Sequence, residues 1–137
     1  MTNIPIPEAS LAGIAAGFAL EQARPWRIGR QPVGWSLIGA GALVIGSSLR
    51  AARTTDLSRP ERLVTSGPYA LSRNPMYVGW AFIHLGIGLA AGSAWIVGTV
   101  PLAGVLVHRD VVAEERRLEE KFGDAYRHYR DTVRRYL

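Results

Sequence analysis

Residues 76–107, MYVGWAFIHLGIGLAAGSAWIVGTVPLAGVLV, contain no Asp, Glu, Lys or Arg. The stretch is too long for one membrane span, which needs about 20 apolar residues. It is interrupted by the small residues of AAGSA at positions 90–94, a composition typical of a turn. It therefore predicts two apolar helices joined by a tight turn, which would cross a membrane and return.

Two more apolar runs precede this hairpin. Residues 31–49 are uncharged, and residues 9–20 form a third run that is shorter than a full span. A signal peptide is the alternative for residues 9–20, but no basic residue precedes the run and the nearest arginines follow it. A chain of 137 residues has room for one domain. We expect an all-α integral membrane bundle of about four transmembrane helices.

The charge of the chain is unevenly placed. Lys and Arg total 16 against 11 Asp and Glu, a formal net charge of +5. Nucleic acid is one possible partner for such a charge, but these bases flank apolar runs, so the positive-inside rule and anionic lipids account for them better. With four spans, every base except Arg24, Arg27 and Arg30 falls on one side. That side, with both termini, is predicted to be cytoplasmic.

Residues 109–137 differ from the apolar runs. Charged residues there surround an apolar stripe at helical spacing, formed by Leu118, Phe122, Tyr126, Tyr129 and Val133. Gly123 is a candidate C-cap and Asp124 a candidate N-cap, so the stripe predicts two short helices with a bend. Taken alone, this segment would be an amphipathic tail on the membrane surface.

The predicted organisation has four parts. Residues 1–50 give two N-terminal helices, 51–75 a cytoplasmic loop, 76–108 the hairpin and 109–137 the tail. The helices are rich in Gly, which permits close helix packing within the bundle or in a homodimer. The chain has no cysteine, which excludes disulfides and thiolate catalysis. The spacing of its three histidines suggests no metal site.

The three histidines lie in different parts of this pattern. His84 falls inside the third apolar run, where a buried, hydrogen-bonded histidine is favoured over a ligand or a base. His108 and His128 fall near the membrane interface and are expected to be solvated.

Two stretches carry a resemblance. LVTSGPYALSRNPMYVGW, residues 63–80, and EERRLEEKFGDAYRHYRDTV, residues 114–133, resemble in order the spaced motifs of the isoprenylcysteine carboxyl methyltransferase and phospholipid methyltransferase superfamily. These motifs span about half of the chain. The resemblance implies an integral membrane enzyme that binds S-adenosylmethionine on its cytosolic face. A lipophilic or small methyl acceptor would reach the site from the bilayer.

Carried over by position, the resemblance implies a set of cofactor-binding residues. They are Glu61, Arg62, Leu63, Val64, Tyr69, Asn74, Pro75, Met76, Tyr77 and Glu114. Arg73 joins the predicted set on its chemistry, as a second arginine beside Arg62 able to pair with the ligand's carboxylate. Their chemistry suits the ligand, because arginine can pair with its carboxylate, glutamate with its ammonium or a ribose hydroxyl, and tyrosine rings with its adenine and sulfonium. Methyl transfer needs alignment and exclusion of water rather than a covalent enzyme intermediate.

The sequence departs from the family pattern at two positions. Asn74 stands where the family usually has His, so hydrogen bonding can persist but proton transfer cannot. Asp110 stands one turn before Glu114, where the prenylcysteine enzymes place a substrate-orienting Arg, and the neighbouring Arg109 points about 100 degrees away on a helix. Glu114, Arg109 and Asp110 are the predicted catalytic residues. Asp110 would repel a carboxylate, which favours an amine, thiol or hydroxyl acceptor.

Two other functions stay open on the sequence alone. The chain could be a non-catalytic membrane scaffold that keeps the motif loop, or a relative of the sterol reductases, which share the helical core but bind a reduced nicotinamide. A soluble Rossmann methyltransferase is excluded, because the sequence has neither alternating strands nor a Gly-rich loop.

Overall fold

A computed structural model describes residues 7–52 and 62–137. The helices in these residues are α1 (Glu8–Ala23), α2 (Val33–Ala52), α3 (Pro75–Ala91), α4 (Ala94–Phe122) and α5 (Asp124–Thr132), with a short 3₁₀ helix at Gly67–Ala70. The described residues contain no strand, which confirms the all-α prediction. The turn predicted at 90–94 is also confirmed, because α3 ends at Ala91 and α4 begins at Ala94.

The number of clear membrane spans is lower than predicted. Within the described ranges, α2 and α4 are the two helices long and apolar enough to cross a membrane, rather than the four expected. Helix α3 is apolar but has 17 residues, and α1 has 16 with Glu8 and Glu21 near its ends. At about 1.5 Å per residue, helices of this length reach only about 25 Å, short of the roughly 30 Å hydrocarbon core.

Helices α2 and α3 are in backbone contact through glycines. A Cβ at Gly34 would lie 2.5 Å from the carbonyl oxygen of Gly86, and a Cβ at Gly41 would lie 2.5 Å from that of Gly79. Any side chain at these positions would push the helices apart. The equal spacing of the two glycines within each helix keeps both pairs on the shared face. Gly39 and Gly46 of α2 instead face open space, so they have no part in this contact.

Helix α1 packs mainly on α4. His84 of α3 is 1% exposed and lies 3.0 Å from the Thr99 hydroxyl of α4 through its Nε2. The same hydroxyl is 3.1 Å from the carbonyl oxygen of Gly13 in α1. His84 is therefore a buried, hydrogen-bonded residue that links three helices, which is the interpretation that the sequence favoured.

One end of the bundle, called the turn end, is formed by the α1–α2 connection and the α3–α4 turn. The Glu21 carboxylate accepts hydrogen bonds there from the Ser93 hydroxyl (2.8 Å) and the Trp26 backbone N–H (3.3 Å). The Trp95 indole donates to the Arg24 carbonyl (2.7 Å), and its ring packs edge-on against Trp26. These contacts fasten the two connections together.

The opposite end, where residues 62–77 and the chain end lie, is called the cleft end. There α4 extends far beyond the apolar hairpin. It continues without interruption through the predicted boundary at 108 and ends at Phe122. Gly123, with φ +54, ends α4 and precedes α5, so Asp124 is the first residue of α5 rather than its N-cap. The tail is therefore not two short helices. It is the end of a 29-residue helix followed by a 9-residue one.

Candidate functional site

The loop before α3 positions the first half of the site. Gly67 has φ +60, a conformation that favours glycine, and the 3₁₀ helix that follows buries the Tyr69 side chain. Pro75 occupies the first turn of α3, where its missing N–H costs no hydrogen bond. Residues 62–77 thus turn from the surface into the bundle, which places Asn74 and Tyr77 opposite α4.

A cleft, called the loop–tail cleft, lies between this loop, the start of α3, the middle of α4 and α5. It encloses about 60 Å³ within a wider space of about 540 Å³ that opens to solvent. Its lining residues are Arg62, Leu63, Val64, Tyr69, Arg73, Asn74, Pro75, Met76, Tyr77, Glu114, Leu118 and Tyr129. The structure thus brings together all the predicted cofactor residues within the described ranges, whereas Glu61 lies outside those ranges.

Leu118 and Tyr129 line the cleft but were not among the predicted site residues. Both belong to the apolar stripe of the tail, and Leu118 is one helical turn beyond Glu114. That spacing puts the two residues on one face of α4. The signal is therefore present in the sequence, but an apolar stripe equally predicts a surface that lies on the membrane.

Helices α3 and α4 are joined inside the cleft by a hydrogen bond. The Tyr77 hydroxyl donates to Glu114 Oε2 at 3.0 Å. Both side chains are partly buried. The bond fixes the direction of the carboxylate and holds the aromatic ring at the cleft wall.

The Tyr69 and Tyr129 side chains form the buried side of the cleft. The Tyr129 hydroxyl donates to the Tyr69 carbonyl oxygen at 2.6 Å, which ties α5 to the loop. Burial raises the pKa of both phenols above the ordinary value, and the Glu114 carboxylate raises that of Tyr69 further. Both tyrosines are therefore neutral at physiological pH and act as hydrogen-bonding and aromatic groups.

Behind the cleft lies a buried polar network centred on Glu115. This carboxylate accepts from Asn74 Nδ2 at 3.0 Å and from Arg135 Nε at 3.1 Å. Asn74 Nδ2 also donates to the Arg135 carbonyl oxygen at 3.2 Å. The amide of Asn74 is thus directed at Glu115 and the chain end. The sequence alone gave no role to Glu115 or Arg135, because their meeting depends on the tail folding back.

Arg73 is the least satisfied charged group of the site. Its side chain is 9% exposed, and its Nη1 lies 3.7 Å from Glu115 Oε1, beyond hydrogen-bonding distance. Its Nε and Nη1 make no hydrogen bond with the described residues. A buried N–H without a partner is rare and costly. An anion in the cleft would satisfy these donors.

Arg109 and Asp110 do not reach the loop–tail cleft. Both are exposed and line a separate surface depression with Glu8, Ala9, Ala12 and Leu106, between α1 and α4. Glu114 alone of the three predicted catalytic residues contacts the cleft. Position along α4 explains the difference, because Asp110 lies about 6 Å before Glu114 along the helix axis, at the level where α4 meets α1.

A second cavity, called the side cavity, has a volume of about 310 Å³, lies between α3, α4 and the chain end, and is open on one side. Its lining residues are Tyr77, Val78, Ala81, Phe82, Gly104, Val107, His108, Tyr136 and Leu137. His108 Nδ1 lies 2.8 Å from the Tyr136 hydroxyl. His108 is exposed, in agreement with the expectation that it is solvated, and it also has this hydrogen-bonding partner. Tyr77 lines both cavities, so they share one wall.

Comparison with known proteins bears on this arrangement. No curated protein and no solved structure matched the chain. The model of the phospholipid methyltransferase family matches residues 30–125, from just before α2 to the start of α5. The match covers more than half of the chain, includes the loop–tail cleft except for Tyr129, and confirms the resemblance seen in the sequence. The chain belongs to the phospholipid methyltransferase family, a family of membrane methyltransferases.

Proposed function

We propose that this membrane protein is an S-adenosylmethionine-dependent methyltransferase that binds its methyl donor in the loop–tail cleft. The observation that carries the proposal is the convergence in one cleft of the buried Arg73 guanidinium, the Glu114 carboxylate and the Tyr69 and Tyr77 rings. These groups come from sequence positions up to 45 residues apart (69 to 114) and meet only because α4 extends along the loop.

The side chains present fit this ligand. The unpaired N–H groups of Arg73 suit a carboxylate, with which arginine forms short paired hydrogen bonds. Glu114 suits an ammonium group or a ribose hydroxyl, and the tyrosine rings suit adenine and a sulfonium. When bound, S-adenosylmethionine supplies an activated methyl group.

The remaining lining residues exclude water. Val64, Met76 and Leu118 give the cleft apolar walls. Catalysis of methyl transfer then depends on alignment of the two reactants in a dry site. Small-molecule pockets commonly measure roughly 300–1,000 Å³, so the ligand has to use the open part of the cleft as well as its enclosed 60 Å³.

The placement in the membrane is part of the proposal. Large apolar side chains of α2 and α4 point outward, with Leu43 73% and Leu102 64% exposed. We place α1 and α3 in the bilayer beside them, with the cleft end in the cytoplasm and the Gly-rich outer faces available for a homodimer. Reporter fusions at Leu137 and near Gly29 should then lie on opposite sides. Reporters on the same side would contradict this topology.

The acceptor is proposed to be a small or lipidic compound that enters from the bilayer. Two alternatives make different predictions about ligands. A non-catalytic scaffold would bind neither S-adenosylmethionine nor a nicotinamide, and a sterol-reductase-like enzyme would bind NADPH. Calorimetric titration of the purified protein in nanodiscs with each ligand separates the three functions.

The decisive variant is Glu114→Ala. Loss of a charge-assisted hydrogen bond, about 1.5–3 kcal/mol, should raise the Kd for S-adenosylmethionine by about one to two orders of magnitude. Glu120→Ala is the matched control, since Glu120 is exposed on the same helix. An unchanged Kd in folded Glu114→Ala protein would remove this carboxylate from the site.

A further inference from the structure

The side cavity has the size and position of a site for a second small molecule. Its volume of about 310 Å³ lies at the lower end of the roughly 300–1,000 Å³ common for such sites. It meets the loop–tail cleft at Tyr77, which lines both. A molecule in the side cavity and a ligand in the cleft would therefore both contact this one aromatic side chain.

The lining of the side cavity selects against charged ligands. Among the residues that the structure describes, no side chain of Lys, Arg, Asp or Glu lines it. A carboxylate or an ammonium group would thus find no counter-ion among these side chains, whereas an apolar ligand matches the lining. Its polar side chains are His108, Tyr136 and Tyr77, and the Tyr77 hydroxyl already donates to Glu114. The pair His108–Tyr136 remains to meet an uncharged polar group.

The geometry points to a specific role for the pair of His108 and Tyr136. That role rests on the proposed function. We propose that the side cavity binds the methyl acceptor as an apolar alcohol, phenol or thiol. His108 takes the proton from the acceptor's O–H or S–H group, and Tyr136 positions the imidazole. With His108 Nδ1–H donated to the Tyr136 oxygen, Nε2 carries the free lone pair.

The step balances without a further reactant. The acceptor oxygen or sulfur forms a bond to the methyl carbon while the bond between that carbon and the donor's sulfonium sulfur breaks. The electron pair of the broken bond stays on the donor sulfur, which becomes a neutral thioether. The acceptor's proton moves to His108 Nε2 and then to water. A carboxylate acceptor would need no such base, whereas a hydroxyl or a thiol does.

The first test is steric and does not depend on methyl transfer. Gly104 lines the side cavity and Gly98 does not, and a Cβ at either position in α4 would meet open space. The probe is radiolabelled 4-octylphenol, measured as retention by protein in nanodiscs above empty nanodiscs. Gly104→Leu should reduce this retention at least tenfold, while Gly98→Leu leaves it unchanged. Equal retention by the two variants would overturn the binding site, whatever the fate of the methyl donor.

The second test separates proton transfer from packing. His108→Gln should lower kcat about 100-fold with little change in KM for the phenol. Tyr136→Phe should lower kcat about tenfold.

Each result has a distinct meaning. A changed KM with an unchanged kcat in His108→Gln would show a packing role only and overturn the catalytic one. A better rate with octanoate or octylamine than with 4-octylphenol would overturn the acceptor class. Absence of S-adenosylmethionine binding in the unmodified protein would refute the proposed function, while the retention experiment would still decide the side cavity.

Discussion

The two ends of the bundle differ in how their buried and partly buried polar groups are paired. At the turn end, Glu21 accepts hydrogen bonds from Ser93 and Trp26, and the Trp95 indole has a carbonyl partner. At the cleft end, Arg73 is as buried as Glu115 but leaves Nε and Nη1 without a hydrogen bond in the described residues. A satisfied cluster fastens two connections together. An unsatisfied one has capacity left for a ligand.

The largest expected change in the free energy of unfolding is that caused by Glu115→Ala at the cleft end. It removes the partner of Asn74 and Arg135 and leaves Arg73 buried without a nearby carboxylate. Breaking a buried ionic network costs about 3 kcal/mol or more, so the free energy of unfolding in mixed micelles should fall by this amount. Glu115→Gln should recover part of the loss, because its amide oxygen can still accept from Asn74. A loss below about 1 kcal/mol in Glu115→Ala would mean that the network does not support the fold.

A substitution at the turn end should lower the stability of the protein without changing ligand binding in the cleft. Gly92 has φ +67, and a Cβ there would lie 2.7 Å from the carbonyl carbon of Gly29. Gly92→Ala should therefore lower the free energy of unfolding by about 2 kcal/mol through backbone strain and the clash. Its Kd for S-adenosylmethionine should be unchanged when measured below the unfolding transition.

The matched control for Gly92→Ala is Gly98→Ala, since a Cβ at Gly98 meets nothing within 4 Å. This variant should have the stability of the unmodified protein to within a few tenths of a kcal/mol or be slightly more stable. A weakened Kd in Gly92→Ala would show that the two ends are coupled rather than independent.

Arg73→Met tests whether the unpaired arginine at the cleft end serves ligand binding or stability. It removes two buried N–H groups that have no partner in the described residues, so stability should change by less than about 1 kcal/mol. The Kd for S-adenosylmethionine should rise about tenfold to a hundredfold, because the carboxylate would lose its charge-assisted partner. Arg116→Met, at an exposed position of α4, should change neither quantity. A large loss of stability with an intact Kd would make Arg73 a structural residue like Glu21.

The smallest expected effect concerns Tyr129. Tyr129→Phe loses the hydrogen bond to the Tyr69 carbonyl, which is worth about 1 kcal/mol. Because the folded pKa of Tyr129 is raised, its contribution to stability is present below the unfolded value of about 10 and is lost as pH rises from there through the folded pKa. The free energy of unfolding should therefore fall as pH rises above about 10, and fall less in the variant. An equal fall would assign the pH dependence to other groups.

Much of this architecture could be predicted because its cause is local. The uncharged run 76–107 and the break at Gly92 predicted the hairpin, since apolar composition and turn residues act over a few positions. Fewer helices than predicted are long and apolar enough to span a membrane, because hydropathy does not reveal where a helix ends. The extent of α4 was missed for the same reason, since the change from apolar to charged residues near Arg109 is a change of environment and not of backbone conformation.

The proposed cofactor residues were predicted from spaced motifs and, for Arg73, from its charge, and the structure gathers those it describes around one cleft. The network of Glu115, Arg135 and Asn74 was not predicted. Its members lie up to 61 residues apart in sequence, and no periodicity relates them. The pairing of His108 with Tyr136 was missed similarly, because each side chain taken alone fits an interfacial position.

The sequence by itself determined that this protein is helical, apolar in its centre and basic at one end, because composition and spacing fix hydrophobic burial and helix formation locally. It also determined the family, through two motifs in a fixed order. The tertiary structure decided which charged groups have hydrogen-bond partners and which, like Arg73 Nε and Nη1, have none in the described residues. It did so by folding α5 and the chain end back onto the loop, which places Arg135 on Glu115 and Tyr136 on His108. Two side chains interact only when they lie close together in space, and residues far apart in sequence come close only when the chain folds.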